Sequence, residues 1–429
     1  MNERAAAARR RGAKVSPVAL ALGGAGLATL FSLALGCATR HSPAAGWGAA
    51  SFGAEFRNHR PKNRAELSWP EEGPGAEVAT TVEGGPAYLA GWRSGDRIAS
   101  LAGRPVLSAC RLEREIAALP IGERVAVEVV REGEAAPRTI EIEPVDGAAL
   151  FDRLCREGRA DACAELGRLT IVSSTTPAEV DAALALYEQA CQGGDPSGCS
   201  ELAGHLVERA GETAAARAAE IAKKGCDGGY PAACSHLGLL YATGGGVGRD
   251  DARATALYEI ACDGGDPAGC YNVGLNYEKQ RGVPRNDARS LLGYVRGCEG
   301  GYPQACTNLG YLYDRGIGVV ANPERAAKLY ERACAGDECT AGDPLGCANF
   351  GIFLRDGRGV SKDEARAARM FAAACAREVG AACNNLGILI EPEDAGRAME
   401  LYRKACRFGS SGGCSNAGVE ASTQGPPQV

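Results

Sequence analysis

The chain has 429 residues, among them 19 cysteines and 59 glycines, and a formal charge of −6. A hydrophobic fraction of 45% excludes wholesale disorder, and the acidic balance excludes nucleic-acid binding through a global basic face. Aromatics are only 6%, so the core rests on Ala, Leu, Val and Gly, and 19 thiols without a CxxC pair point to an oxidising compartment.

Arg4, Arg9, Arg10, Arg11 and Lys14 form a basic start, and Val18 to Leu35 is an apolar run. It ends at Ala34-Leu35-Gly36-Cys37. This is the layout of a secretory signal. A small residue before Cys37 resembles the lipobox of bacterial lipoproteins, which implies a lipid on Cys37 and a membrane attachment outside the cytoplasm. The family usually has Leu where Ala34 stands. An uncleaved anchor is the alternative, since the run is about long enough to span a bilayer. Residues 38–63 mix Ala, Gly, Ser, Pro and Arg without periodicity and read as a tether.

A β-rich segment follows, over 64–146. Strands are expected at Glu77–Val82, Arg97–Leu101, Arg124–Arg131 and Arg138–Ile142. One helical turn is expected at Pro86–Ala90, and a helix over Arg111–Leu119 carries Leu112 and Ile116 on one face. The run Gly85-Pro86-Ala87-Tyr88-Leu89-Ala90-Gly91-Trp92-Arg93-Ser94-Gly95-Asp96-Arg97-Ile98 resembles the PDZ domain of bacterial periplasmic proteases. The resemblance implies a peptide groove lined by Leu112 and Ile116, with a carboxylate-holding loop at Arg64-Ala65-Glu66-Leu67 and Leu67 beside the ligand. Glu66 brings a negative charge where that family has glycine. Asp96 reads as a turn-forming residue.

The rest of the chain, 150–421, is a repeat array. Cysteines recur eight apart at Cys155/Cys163, Cys191/Cys199, Cys226/Cys234, Cys262/Cys270, Cys298/Cys306, Cys375/Cys383 and Cys406/Cys414. Successive first members, through Cys298, are 36, 35, 36 and 36 residues apart, and Cys334 continues the period. Such a period indicates a solenoid. Each unit reads as a helix such as Cys270–Glu278, a Gly-rich loop such as Gly244–Gly248, and an acid-started helix such as Asp251–Cys262.

The segment 257–283, LYEIACDGGDPAGCYNVGLNYEKQRGV, resembles the Sel1-like repeat, an αα-hairpin related to the tetratricopeptide repeat. The paired cysteines narrow the resemblance to the cysteine-rich Sel1 proteins of the Helicobacter type. The expected architecture is therefore multidomain: a small β-rich PDZ domain, then an all-α, disulfide-stapled solenoid of about seven units. The resemblance implies that each disulfide joins the end of one unit's second helix to the start of the next unit's first. Closing so short a loop stabilises by roughly 2–3 kcal/mol. Cys347 could pair with Cys334, which keeps the helical register, or with Cys339, which keeps the spacing of eight. The spacing favours Cys339–Cys347 and would leave Cys334 and Cys110 outside the bridges.

No Ser-x-x-Lys, His-Glu-x-x-His, P-loop or post-strand G-x-G-x-x-G occurs, so no catalytic residue, metal ligand or cofactor is assigned. Two residues after the second cysteine stand Asn272, Asn308, Asn349, Asn385 and Asn416, with Glu165, Glu201 and His236 in earlier units. Related solenoids line their concave side with this position. Asn272, Asn308, Asn349 and Asn385 could hold an extended peptide by its backbone amides. A solvated or helix-capping role is the alternative. The expected function is a non-enzymatic envelope adaptor for proteins or peptides, with no nucleic acid. The resemblance also implies an alternative, a β-lactam-hydrolysing or penicillin-binding enzyme. Residues 422–429 read as a polar tail.

Overall fold

The computed structural model describes residues 50–51, 54–58, 76–81, 86–93, 95–106, 112, 115–116, 118–131, 134, 136–208, 212–336 and 342–418. Cys37, Leu67, Cys110, Cys339 and the tail lie outside them. The described chain falls into two compact bodies, one reaching Ala321 and one starting at Asn322.

The N-terminal strands are β1 (Ala50–Ser51), β2 (Ala54–Asn58), β3 (Ala76–Thr81), β4 (Arg97–Leu101), β5 (Arg104–Pro105), β6 (Val125–Val130), β7 (Arg138–Ile142) and β8 (Val145–Asp146). A four-residue helix α1 (Pro86–Leu89) lies between β3 and β4. The main sheet has the order β2-β3-β4-β6-β7, antiparallel throughout, with β5 on β4; β1 pairs with β8. The sheet starts earlier than the sequence pattern suggests. Residues 54–58 pair with β3 and so belong to the sheet, not to a tether. An edge strand needs only ladder hydrogen bonds, so the sequence Ala-Glu-Phe-Arg-Asn carries no strong apolar alternation.

The β core gathers Ala76, Val78, Trp92, Ile98, Leu101, Val127, Val129 and Ile142. The turn before β4 is clasped by Asp96, only 1% exposed. Its carboxylate accepts from the Arg93 amide at 2.9 Å and from Arg131 Nε and Nη2 at 2.7 and 2.6 Å. Arg131 Nη2 also donates to the Gly91 carbonyl at 3.0 Å. The hydrogen bond that Arg131 donates to Asp96 raises the Arg131 pKa against the opposing effect of burial. Asp96 is thus a structural clasp, as its turn sequence suggests.

Sixteen helices follow among the described residues. In the first body they are α2 (Gly147–Arg156), α3 (Ala160–Ser173), α4 (Pro177–Gln192), α5 (Pro196–Glu208), α6 (Glu212–Asp227), α7 (Pro231–Thr243), α8 (Asp251–Gly264), α9 (Pro267–Lys279), α10 (Asp287–Glu299) and α11 (Pro303–Arg315). In the second they are α12 (Pro323–Ala335), α13 (Pro344–Asp356), α14 (Glu364–Ala376), α15 (Gly380–Ile390), α16 (Ala395–Arg407) and α17 (Ser411–Asn416).

Local chemistry sets these ends. Asp250, Asn286, Asn322, Asp363 and Asp394 each accept from the amide three residues on, at 2.8 to 3.0 Å, and start a second helix. Pro begins many of the first helices, where its missing N–H leaves nothing unpaired. Gly265, at φ +106°, ends α8.

Within a unit the helices close through one recurring contact. An aromatic side chain four residues before the first cysteine lies on a glycine four residues after the second. The pairs are Tyr187 on Gly167, Tyr258 on Gly238, Tyr294 on Gly274, Phe371 on Gly351 and Tyr402 on Gly387. A Cβ on any of these glycines would lie 2.6 to 2.8 Å from a ring carbon. No side chain larger than hydrogen fits beneath such a ring.

Between units, the loop after each first helix rests on the start of the previous unit's second helix. Gly282, at φ +67°, is the clearest case: a Cβ there would lie 2.2 Å from the Asp251 carbonyl carbon. Gly246 and Gly359 meet backbone at 2.3 Å in the same way.

Two outcomes follow. Gly282→Ala should cost more than about 3 kcal/mol, because left-handed strain and backbone overlap add. Gly229→Ala has positive φ but open space around it, and should cost only about 1–2 kcal/mol. Urea melts of the two variants check the ranking. Asp96→Asn should destabilise the β domain by about 3 kcal/mol, by leaving Arg131 without its partner. Tryptophan fluorescence during unfolding reads this out, and a change below about 0.5 kcal/mol would match a mere surface substitution.

Candidate functional site

Eight disulfides are present among the described residues. Seven span eight residues: Cys155–Cys163, Cys191–Cys199, Cys226–Cys234, Cys262–Cys270, Cys298–Cys306, Cys375–Cys383 and Cys406–Cys414. Each ties the last turn of one helix to the first turn of the next, with Cα atoms 4.4 to 4.7 Å apart.

The eighth corrects the expectation of Cys339–Cys347. Cys347 pairs with Cys334, thirteen residues earlier, at a Cα separation of 4.3 Å. Cys334 sits in the last turn of α12, as Cys298 does in α10. The Asp343 amide donates to the Ala333 carbonyl at 2.7 Å, just as Asp266 donates to Ala261 at 2.9 Å. The helix end therefore sets the bridge, and the five-residue insertion does not displace it.

In the β domain Leu112 is 0% and Ile116 4% exposed, and both belong to the hydrophobic core. This corrects the assignment of their side chains to a groove wall: the face that looks amphipathic in sequence is the face that packs on the sheet.

The asparagine row lies where units meet. Asn272 and Asn308 are half-buried, while Asn349 and Asn385 are only 8% and 5% exposed. These two leave an extended chain almost no surface to grip, which corrects the expectation of four equivalent contacts. Asn308 hydrogen-bonds the Tyr294 hydroxyl of the preceding unit. Tyr294 in turn donates to Glu278 Oε2 at 2.6 Å. Burial raises the Tyr294 pKa well above the ordinary value, and the charge of Glu278 adds to it. Asn416 is exposed and donates to Asn384 Oδ1 at 2.8 Å.

A second polar network joins units and was not apparent from sequence. Arg289, at the start of α10, donates to Glu259 of α8 at 2.8 Å and to the Tyr277 hydroxyl of α9 at 2.7 Å. Tyr277 donates to Glu259 at 2.8 Å, and the Arg289 guanidinium lies 5.3 Å from its ring centroid. The same helix-to-helix pair recurs as Arg217–Glu188 and Arg366–Glu331. The signal lay in the period: Arg217, Arg289 and Arg366 each stand nine residues before a cysteine, and the three glutamates each follow an aromatic. These groups link units mechanically; they do not converge on a reacting centre.

Comparison with known proteins agrees with this anatomy. The PDZ domain model matches residues 50–143. The Sel1 repeat model matches 160–195, 231–266, 267–292, 303–338, 344–379 and 378–409. A probable periplasmic serine endoprotease DegP-like from Pseudomonas fulva is 40% identical over 72 residues, 17% of this chain and 15% of that protein. The periplasmic serine endoprotease DegP of Salmonella typhimurium is 30% identical over 82 residues, 18% of this chain and 17% of its own. The chain thus spans less than a fifth of these proteases, and the likeness covers the PDZ region only. A solved protective antigen of uropathogenic Escherichia coli, displaying an SLR fold, is 25% identical with a TM-score of 0.51. That match covers 63% of this chain and 58% of the antigen. The chain is a cysteine-rich Sel1-repeat protein with an N-terminal PDZ domain.

Proposed function

We propose that the chain is a non-enzymatic adaptor of the bacterial envelope, held at a membrane through a lipid on Cys37. Its PDZ domain and repeat array gather other proteins or extended peptides. The observation that carries this reading is the union of two protein-binding modules in one chain, the second bridged by a disulfide where one repeat unit meets the next. Bridges at this density call for an oxidising, exported environment, and the proteases that share the PDZ region are named periplasmic. A stapled solenoid is a pre-organised surface, which lowers the ordering cost of binding. Asn272 and Asn308, half-buried rather than sealed, are the solenoid contacts proposed here; Leu67 is proposed as the PDZ contact.

Affinity capture from a bacterial envelope extract tests the reading, with the oxidised full chain as bait in the Cys37→Ala form. Proteins should be retained above a blank matrix, and Asn272→Ala with Asn308→Ala should lower that retention. The same preparation should not turn over a chromogenic β-lactam. Retention equal to the blank, or β-lactam turnover, would contradict the proposal.

A further inference from the structure

The second unit, α5 with α6, departs from the others. Ala203 stands at its glycine position and Ala222 at its aromatic position, both fully buried. The Sel1 model passes over residues 196–230. No ring from within this unit closes its two helices.

A ring arrives instead from the next unit. His236, on α7, occupies the position that Asn272 and Asn308 hold in later units. Its imidazole lies against α5: a Cβ on Gly204 would be 3.0 Å from His236 Cε1. The ring bonds to the backbone of Ser200. Nδ1 is buried with no hydrogen-bond partner. Adding a proton there would create a buried N–H without an acceptor, which is destabilising.

The charged group acting on the ring is Asp266, the cap of α9. Its carboxylate is already engaged by the Ser235 hydroxyl and by the Gly269 amide at 2.8 Å. Burial outweighs the attraction of Asp266, and the imidazole pKa is lowered. Three other titratable groups lie on α5, the first being the half-buried Glu201, whose charge acts on Tyr187. His205 stacks on Tyr187 with ring centroids 6.2 Å apart. Glu208 has its pKa raised by burial, so acid favours its folded form and works in the opposite direction.

We infer that His236 makes the joint between the second and third units a proton-sensitive hinge: protonation at Nδ1 loosens α7 from α5 while Cys226–Cys234 keeps the two units joined. The sign is fixed by linkage. The opened joint binds a proton near the ordinary imidazole value of about 6.5, and the closed joint binds it only at lower pH. Closure is therefore complete above about pH 6.5 and weakens as pH falls below it.

Hydrogen exchange on the oxidised full chain, corrected for intrinsic rates, tests this at pH 7.5 and pH 5. Amides of residues 196–243 should lose protection relative to 267–299, about tenfold for each unit by which burial lowers the imidazole pKa. His236→Asn restores the residue of the later units and should abolish that difference. Equal loss in both regions, or loss that persists in His236→Asn, would overturn the inference. Should that variant not fold, NMR titration of the ring protons of all four histidines in the native chain decides it. A set in which none titrates below about 6.5 would equally overturn it.

Discussion

The seating of an aromatic ring on a bare helical glycine is the contact on which the repeat depends. Two helices reach this separation only if one offers no side chain at the crossing and the other fills the space with a flat ring. Truncating such a ring removes about 3–5 kcal/mol. This accounts for an unusual composition. Glycines are abundant because rings and loops both demand them. The exception supports the rule: where Ala222 replaces the ring, Ala203 replaces the glycine, and His236 reaches in from the neighbouring unit.

The disulfides act on a different link. They join helix ends between units, whereas the ring and glycine join helices within one. The bridge from Cys334 to Cys347 shows which constraint governs. Helix register holds although the sequence separation grows from eight to thirteen. Networks such as Glu259–Tyr277–Arg289 then fix adjacent units further.

Periodic features were legible in sequence because they are local. The cysteine spacing, the Asp or Asn before each second helix, and the Gly-rich loops each report on a few neighbouring residues. Strand β6 announced itself through a β-branched run, β7 through polar and apolar alternation, and β4 through the tight turn before it. Features set by the neighbour were not legible. Strand β2 takes its stability from the ladder with β3 and shows no pattern of its own. The asparagines look like one surface row, yet Asn349 and Asn385 are buried while Asn272 and Asn308 are only half-buried. Leu112 and Ile116 marked an apolar face correctly, but sequence does not say that the sheet, not a ligand, covers it.

The central claim is that ring and glycine form one unit of stability. A double-mutant cycle on Gly274 and Tyr294 tests it most directly, by urea unfolding of the oxidised full chain. Gly274→Ala alone should cost at least about 2 kcal/mol, since its Cβ would meet the ring at 2.6 Å. In a Tyr294→Ala background the same change should cost less than about 0.5 kcal/mol, because the chain already carries that alanine pair at Ala203 and Ala222. Equal costs of Gly274→Ala in both backgrounds would contradict the account.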